Sequence, residues 1–157
     1  MRVYLSGGME YAVGEGAGWR NSLQGWLERT LQHSVFNPNA ESDAFFAARY
    51  PGLDIRKLKS EDLGRYTDIL RLLVDIDTRE IAERSDYVVC FWDEGAVKGA
   101  GTKGELTIAR FFNKPVYLVT DHAHAEIPGW VLGCTTRIFT DFEELKKFLT
   151  QAHPPAA

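Results

Sequence analysis

The sequence predicts a three-layer α/β fold around a five-stranded parallel sheet, with strand order 2-1-3-4-5 as the simplest arrangement. Three observations lead there. Short β-rich runs alternate with stretches of helical spacing along the chain, the pattern of strands joined by helical crossovers. The strongest run, Tyr87-Val88-Val89-Cys90-Phe91, is apolar without interruption and reads as a buried central strand. It leads directly into Asp93, Glu94 and a glycine-rich loop, at the position where open α/β sheets hold their ligands.

The elements follow in order. Arg2 to Leu5 is a first strand, stopped by the turn Ser6-Gly7-Gly8. A loop over 9–18 carries Gly14, Gly16 and Gly18. From Trp19 onward, Leu23, Trp26, Leu27 and Leu31 have helical spacing. Val35-Phe36 is a short second strand closed by Asn37-Pro38-Asn39. Residues 39–66 mix short helical patches, a Pro51-Gly52 turn and several charges, and are expected to be an insertion, either a lid or an oligomer contact. Asp68 to Arg84 is a helix with Leu73, Asp77 and Ile81 on one face. The third strand is followed by a helix from about Lys103 to Phe112, a fourth strand at Val116 to Val119 and a fifth at Arg137 to Phe139. Asp141 and Glu144, spaced as a capping box, open a last helix that runs to Leu149. The expected organisation is one domain over 1–152 and a frayed tail over 153–157.

Composition narrows the function. A hydrophobic fraction of 45% with 12% aromatic residues describes a packed globule. A net charge of -4 without a basic stripe argues against a nucleic-acid polymer as partner, but leaves small nucleosides and nucleotides open. No apolar run approaches the ~20 residues of a membrane span, so no membrane partner is expected. Two distant cysteines, Cys90 and Cys134, and no secretory leader predict reduced thiols and a cytoplasmic location. His122 and His124 have no third ligand at metal spacing, and neither a metal nor a cofactor is expected.

The glycine loops match no dinucleotide fingerprint, since Trp19 stands where a third glycine is needed, and no phosphate loop. Gly7 and Gly8 would still let a ligand approach the backbone, or form a plain tight turn. Thr102-Lys103-Gly104-Glu105 fits a capping box, which would make Glu105 an acceptor for the Thr102 N–H. Gly104 points to chemistry instead: it is a poor residue for a first helical turn and leaves room beside the carboxylate. A helix N-terminus would stabilise Glu105 as an anion, which suits a nucleophile. Asp77 lies in an apolar stripe, where a lone carboxylate is costly unless it is paired, with Arg79 or Arg84 for example, or faces a cleft. Asp86 reads as a turn or cap residue and Glu94 as solvated.

Taken together, Val3-Tyr4-Leu5-Ser6-Gly7, Asp77 ahead of Ser85-Asp86, the strand running into Asp93, Gly101-Thr102-x-x-Glu105 and Lys114-Pro115-Val116 resemble the nucleoside 2-deoxyribosyltransferase superfamily, which includes nucleoside 5′-monophosphate N-glycosidases. The resemblance covers most of residues 1–120; residues 39–66 and the C-terminal third have no match. It implies a flavodoxin-like fold and 2′-deoxyribosyl transfer between bases. Glu105 would be the nucleophile at C1′, and Asp77 and Asp93 the carboxylates that hold and protonate the base. Tyr4, Ser6, Gly7 and Gly8, with Gly101 and Thr102, would contact substrate. It further implies a small nucleoside or nucleotide as substrate and a homo-oligomer. Monophosphate hydrolysis and a non-catalytic nucleotide-binding module are the alternatives. For a 5′-phosphate the sequence offers only Ser6, Arg20, Lys98 and Lys103 as scattered contributors.

Overall fold

A computed structural model describes residues 1–154. Five strands, β1 (Arg2–Gly7), β2 (Ser34–Phe36), β3 (Tyr87–Phe91), β4 (Val116–Val119) and β5 (Arg137–Phe139), form one parallel sheet in the order β2-β1-β3-β4-β5. This is the expected α/β architecture, down to the strand order.

Residue alternation sends the two faces of each strand into different cores. Tyr4, Val88, Cys90 and Leu118 face one side and pack on Ile81, Leu106, Ala109 and Val131. Val3, Leu5, Tyr87, Val89 and Val119 face the other and pack on Leu23, Leu27, Leu145 and Leu149. A sheet covered on both sides requires strands apolar at every position, which is why β3 reads as a continuous hydrophobic run.

The helices are α1 (Ala17–Trp26), α2 (Pro38–Arg49), α3 (Ile55–Glu61), α4 (Leu63–Arg79), α5 (Glu94–Lys98), α6 (Gly101–Phe111), α7 (Gly129–Cys134) and α8 (Phe142–Ala152). Residues 39–66, expected as an insertion with short helical patches, are mostly helical. Asn37 ends the second strand by capping α2, accepting the Asn39 N–H at 3.2 Å with Pro38 in the first turn. Asp54 caps α3 through the N–H groups of Arg56 and Lys57, both at 3.1 Å. Asp62 caps α4 through Arg65, so that helix starts five residues before the expected Asp68. It ends in a wider turn over Glu80–Arg84, closed by the Ser85 N–H on the Glu80 carbonyl at 2.9 Å. In α8 Asp141 accepts the Glu144 N–H at 2.8 Å, while Glu144 turns back to the Thr140 N–H rather than to Asp141.

His153, expected in a frayed tail, is packed: its ring stacks on Tyr87 at 5.0 Å and its Nε2 meets the Tyr117 hydroxyl at 3.0 Å. Residues 155–157 of that tail lie outside the described residues. Among the described residues, no helix is long and apolar enough to cross a membrane.

Gly8, just beyond β1, is held by close packing. A Cβ there would stand 2.5 Å from the Gly95 carbonyl carbon and 2.7 Å from the Ala96 nitrogen, both backbone atoms of α5. Gly8→Ala is therefore expected to cost about 2 kcal/mol, within the range for overpacked cores, read as a lowered midpoint in chemical denaturation.

Candidate active site

The ends of β1 and β3 lie side by side, Ser6 opposite Cys90 and Gly7 opposite Phe91. Between them the strand order reverses, the place where open α/β sheets bind their ligands. Alternation along β1 places Tyr4 and Ser6 on the same face. That face is covered by α6, and Glu105 projects from α6 onto both of them.

The Tyr4 hydroxyl donates to one Glu105 oxygen at 3.0 Å, and the Ser6 hydroxyl donates to the other. Glu105 is therefore not a helix cap. Ala100 takes the cap position of α6, and Glu105 lies a full turn inside, so the Thr102-to-Glu105 spacing is out of phase with a capping box. Thr102 is buried. Gly101 and Gly104 are exposed, and a Cβ on either would meet no other atom within 4 Å, leaving the outer side of that turn open.

Asp77 approaches from α4. Burial, and then the neighbouring charge of Glu105, raise its carboxyl to about 7; the nearby Tyr4 hydroxyl and the Arg20 charge offset part of this. Burial also raises Glu105, but Ser6, Tyr4 and Arg20 all favour its ionised form. Glu105 has the direct donors, which favour its ionised form, while Asp77 holds its proton below about pH 7. Tyr4 is held well above its ordinary value, by burial and by Glu105, and stays a donor. Arg84 pairs with Glu80 at 3.8 Å, and among the described residues neither Arg79 nor Arg84 forms an ion pair with Asp77.

On α4, Tyr66, Leu70, Leu73 and Asp77 are three or four apart and form one stripe. The first three line a cleft of about 630 Å³, a size suited to a small molecule; Asp77, Glu105, Tyr4 and Ser6 do not line it. Met9, Tyr11, Phe46 and Leu53 complete its apolar wall. Two ion pairs link loop 9–16 to α3 beside it: Glu10 with Lys59 at 2.8 Å, and Glu15 with Arg56. Sequence reasoning missed Phe46, Leu53, Arg56, Lys59 and Tyr66. The available signals were the caps Asn37, Asp54 and Asp62, and the stripe extended back from Asp77.

Asp93 does not join this group. Its carboxylate accepts the Ala96 N–H at 2.9 Å, capping α5, and it lines a separate hollow of about 590 Å³ with Tyr11, Trp19, Phe91 and His122. The expected meeting of three carboxylates is a meeting of two, because an acidic residue after a strand serves equally well as a helix cap. Gly7 and Gly8 permit a close approach, but protein makes it. A Cβ on Gly7 would stand 2.9 Å from the Trp19 ring and 3.1 Å from the Phe91 carbonyl oxygen, and Gly8 is filled by α5.

No protein-family model matches the chain, and no curated protein sequence does. Among solved structures it is similar to a 2-deoxyribosyltransferase from the psychrotolerant bacterium Bacillus psychrosaccharolyticus, with a TM-score of 0.63 and 16% identity over 100% of both chains. The two share a fold. At that identity the likeness concerns the flavodoxin-like architecture and leaves the chemistry to be argued from the side chains.

Proposed function

We propose that the protein cleaves the N-glycosidic bond of nucleosides and passes the 2-deoxyribosyl group to a second base. The observation that carries this reading is the Glu105 carboxylate held between the Tyr4 and Ser6 hydroxyls, with Asp77, its carboxyl pushed up to about 7, as the neighbouring acid. A nucleophile must be ionised and a leaving base must be protonated, and two carboxyls with different proton affinities supply both.

In the first half-reaction a Glu105 oxygen attacks C1′, the bond from C1′ to the base nitrogen breaks, and that nitrogen takes the Asp77 proton. Glu105 now carries the sugar as an ester, and its charge has met the oxocarbenium-like transition state, as in retaining glycosidases. In the second half-reaction the incoming base attacks C1′, its proton passes to Asp77, and Glu105 leaves as carboxylate. Tyr4 and Ser6 hold Glu105 in one rotamer throughout. Asp93 has no part in this scheme.

Both cations beside the cleft, Arg56 and Lys59, are already paired with acids, which favours a substrate with a free 5′-hydroxyl over a 5′-monophosphate. The reading extends to a homo-oligomer, supported by exposed Leu72, Val74 and Ile76 on α4, and to the cytoplasm, supported by two buried free cysteines. The test is incubation with 2′-deoxyinosine and adenine, followed by chromatography. 2′-Deoxyadenosine is the expected product. Free deoxyribose alone would mean hydrolysis, and no product from any deoxynucleoside or deoxynucleoside monophosphate would remove the reading.

A further inference from the structure

We propose that Arg20 is a positioning residue for Glu105, fixing the Ser6 end of β1 and keeping a positive charge behind the carboxylate. The inference rests on the reading of Glu105 as nucleophile and adds a residue to it.

Arg20 is 1% exposed. Its Nε donates to the Leu5 carbonyl at 3.3 Å and its Nη2 to the Gly7 carbonyl at 2.9 Å, the peptide groups on either side of Ser6. Its Nη1 reaches the carbonyls of Gly8, Glu15 and Gly16 at 3.3, 3.1 and 3.3 Å. One guanidinium thus braces the residue that hydrogen-bonds Glu105 and also gathers in the loop that walls the cleft. Gly16 accommodates it with a positive φ of 68° and no side chain; a Cβ there would stand 2.6 Å from Nη1.

All five hydrogen-bond partners are neutral carbonyls, the guanidinium also lies over the Trp19 ring at 4.7 Å, and among the described residues no carboxylate pairs with Arg20. Burying a whole charge merely to brace a loop is costly where a neutral amide could donate as well. The charge has its counterpart in the Glu105 carboxylate across Ser6. Its field favours ionisation of Glu105 and of Asp77 alike; burial lowers the guanidinium itself, and Glu105, followed by Tyr4, Cys90 and Asp93, offsets part of this. A simple loop anchor would need the hydrogen bonds and not the charge, so the two roles separate by substitution.

The experiment follows the Glu105 carboxyl by 13C NMR during pH titration, alongside the pH dependence of kcat and KM. Arg20→Gln is expected to move the Glu105 midpoint up by about one pH unit, and to move the acidic limb of kcat with it. Arg20→Lys keeps the charge but cannot serve five carbonyls. It is expected to hold the midpoint and raise KM several-fold through the loosened loop. An unmoved midpoint in Arg20→Gln would overturn the proposal, as would an equal rise in Arg20→Lys. If Arg20→Gln does not fold in plain buffer, its titration is repeated in a stabilising osmolyte beside wild type: a raised midpoint supports the proposal and an unmoved one overturns it. The NMR arm needs no turnover, so loss of the sugar-transfer reading would leave this measurement standing.

Discussion

Replacing Glu105 by glutamine is expected to abolish transfer while leaving the protein at least as stable as before. The amide has the same shape but cannot attack C1′, so kcat should fall by a thousand-fold or more, on the order seen when an essential nucleophile is removed. Stability should move the other way. Burial raises the Glu105 carboxyl, so its ionised form is held at a cost that Tyr4, Ser6 and Arg20 only partly offset. Removing the charge is expected to add about 1 kcal/mol, the gain often seen when a functional site is neutralised. In a chain of this size that is a rise in Tm of about 3 °C. Rapid-quench chromatography and thermal denaturation on the same preparation check both halves. A variant that is active and less stable would make Glu105 a structural hydrogen-bond acceptor.

Asp77→Asn tests the proton donor. With its carboxyl raised to about 7, Asp77 is the acid below that pH, and wild-type kcat should fall as the pH rises through it. The asparagine variant should lose about a hundred-fold or more at pH 6 and show no such limb. With 7-methyl-2′-deoxyguanosine, whose base departs without being protonated, the loss should be slight. Stability carries the same signature. A folded-state value raised above the unfolded one of about 3.9 gives a contribution that is full below 3.9 and lost as the pH climbs through about 7. Asp77→Asn should therefore be the more stable protein at pH 8, with the advantage fading towards pH 4. Denaturant midpoints across that range measure it.

The sheet was legible because a strand covered on both sides leaves an unbroken apolar run, as Tyr87 to Phe91 does. Asp77 was legible because α4 repeats its apolar stripe with a carboxylate in it. The remainder depended on direction, which spacing does not carry. Glu105 was open to a capping reading until the helix start fell at Gly101, and Asp93 was open to a catalytic one until Ala96 claimed its oxygen. Ser6 looked like part of a turn, yet it is the last polar side chain on the Tyr4 face of β1. Residues 39–66 were obscure because α2 and α3 are short and are announced mainly by their caps. In the sequence Arg20 is only one of four scattered contributors to a 5′-phosphate site; the carbonyls it holds are brought together by the curl of loop 8–16.

The central pair of the sheet joins Val3 with Tyr87 and Gly7 with Phe91, so more than half the chain lies between its two halves. During synthesis the first strand leaves the ribosome long before its inner neighbour exists, and the ladder groups on that side stay solvated until the third strand arrives. Loop closure over such a span is slow relative to local helix formation, and that closure also brings residues 4 and 6 to residue 105. Recovered turnover after dilution from denaturant would then report the last and most distant docking event, well after helical circular dichroism has returned.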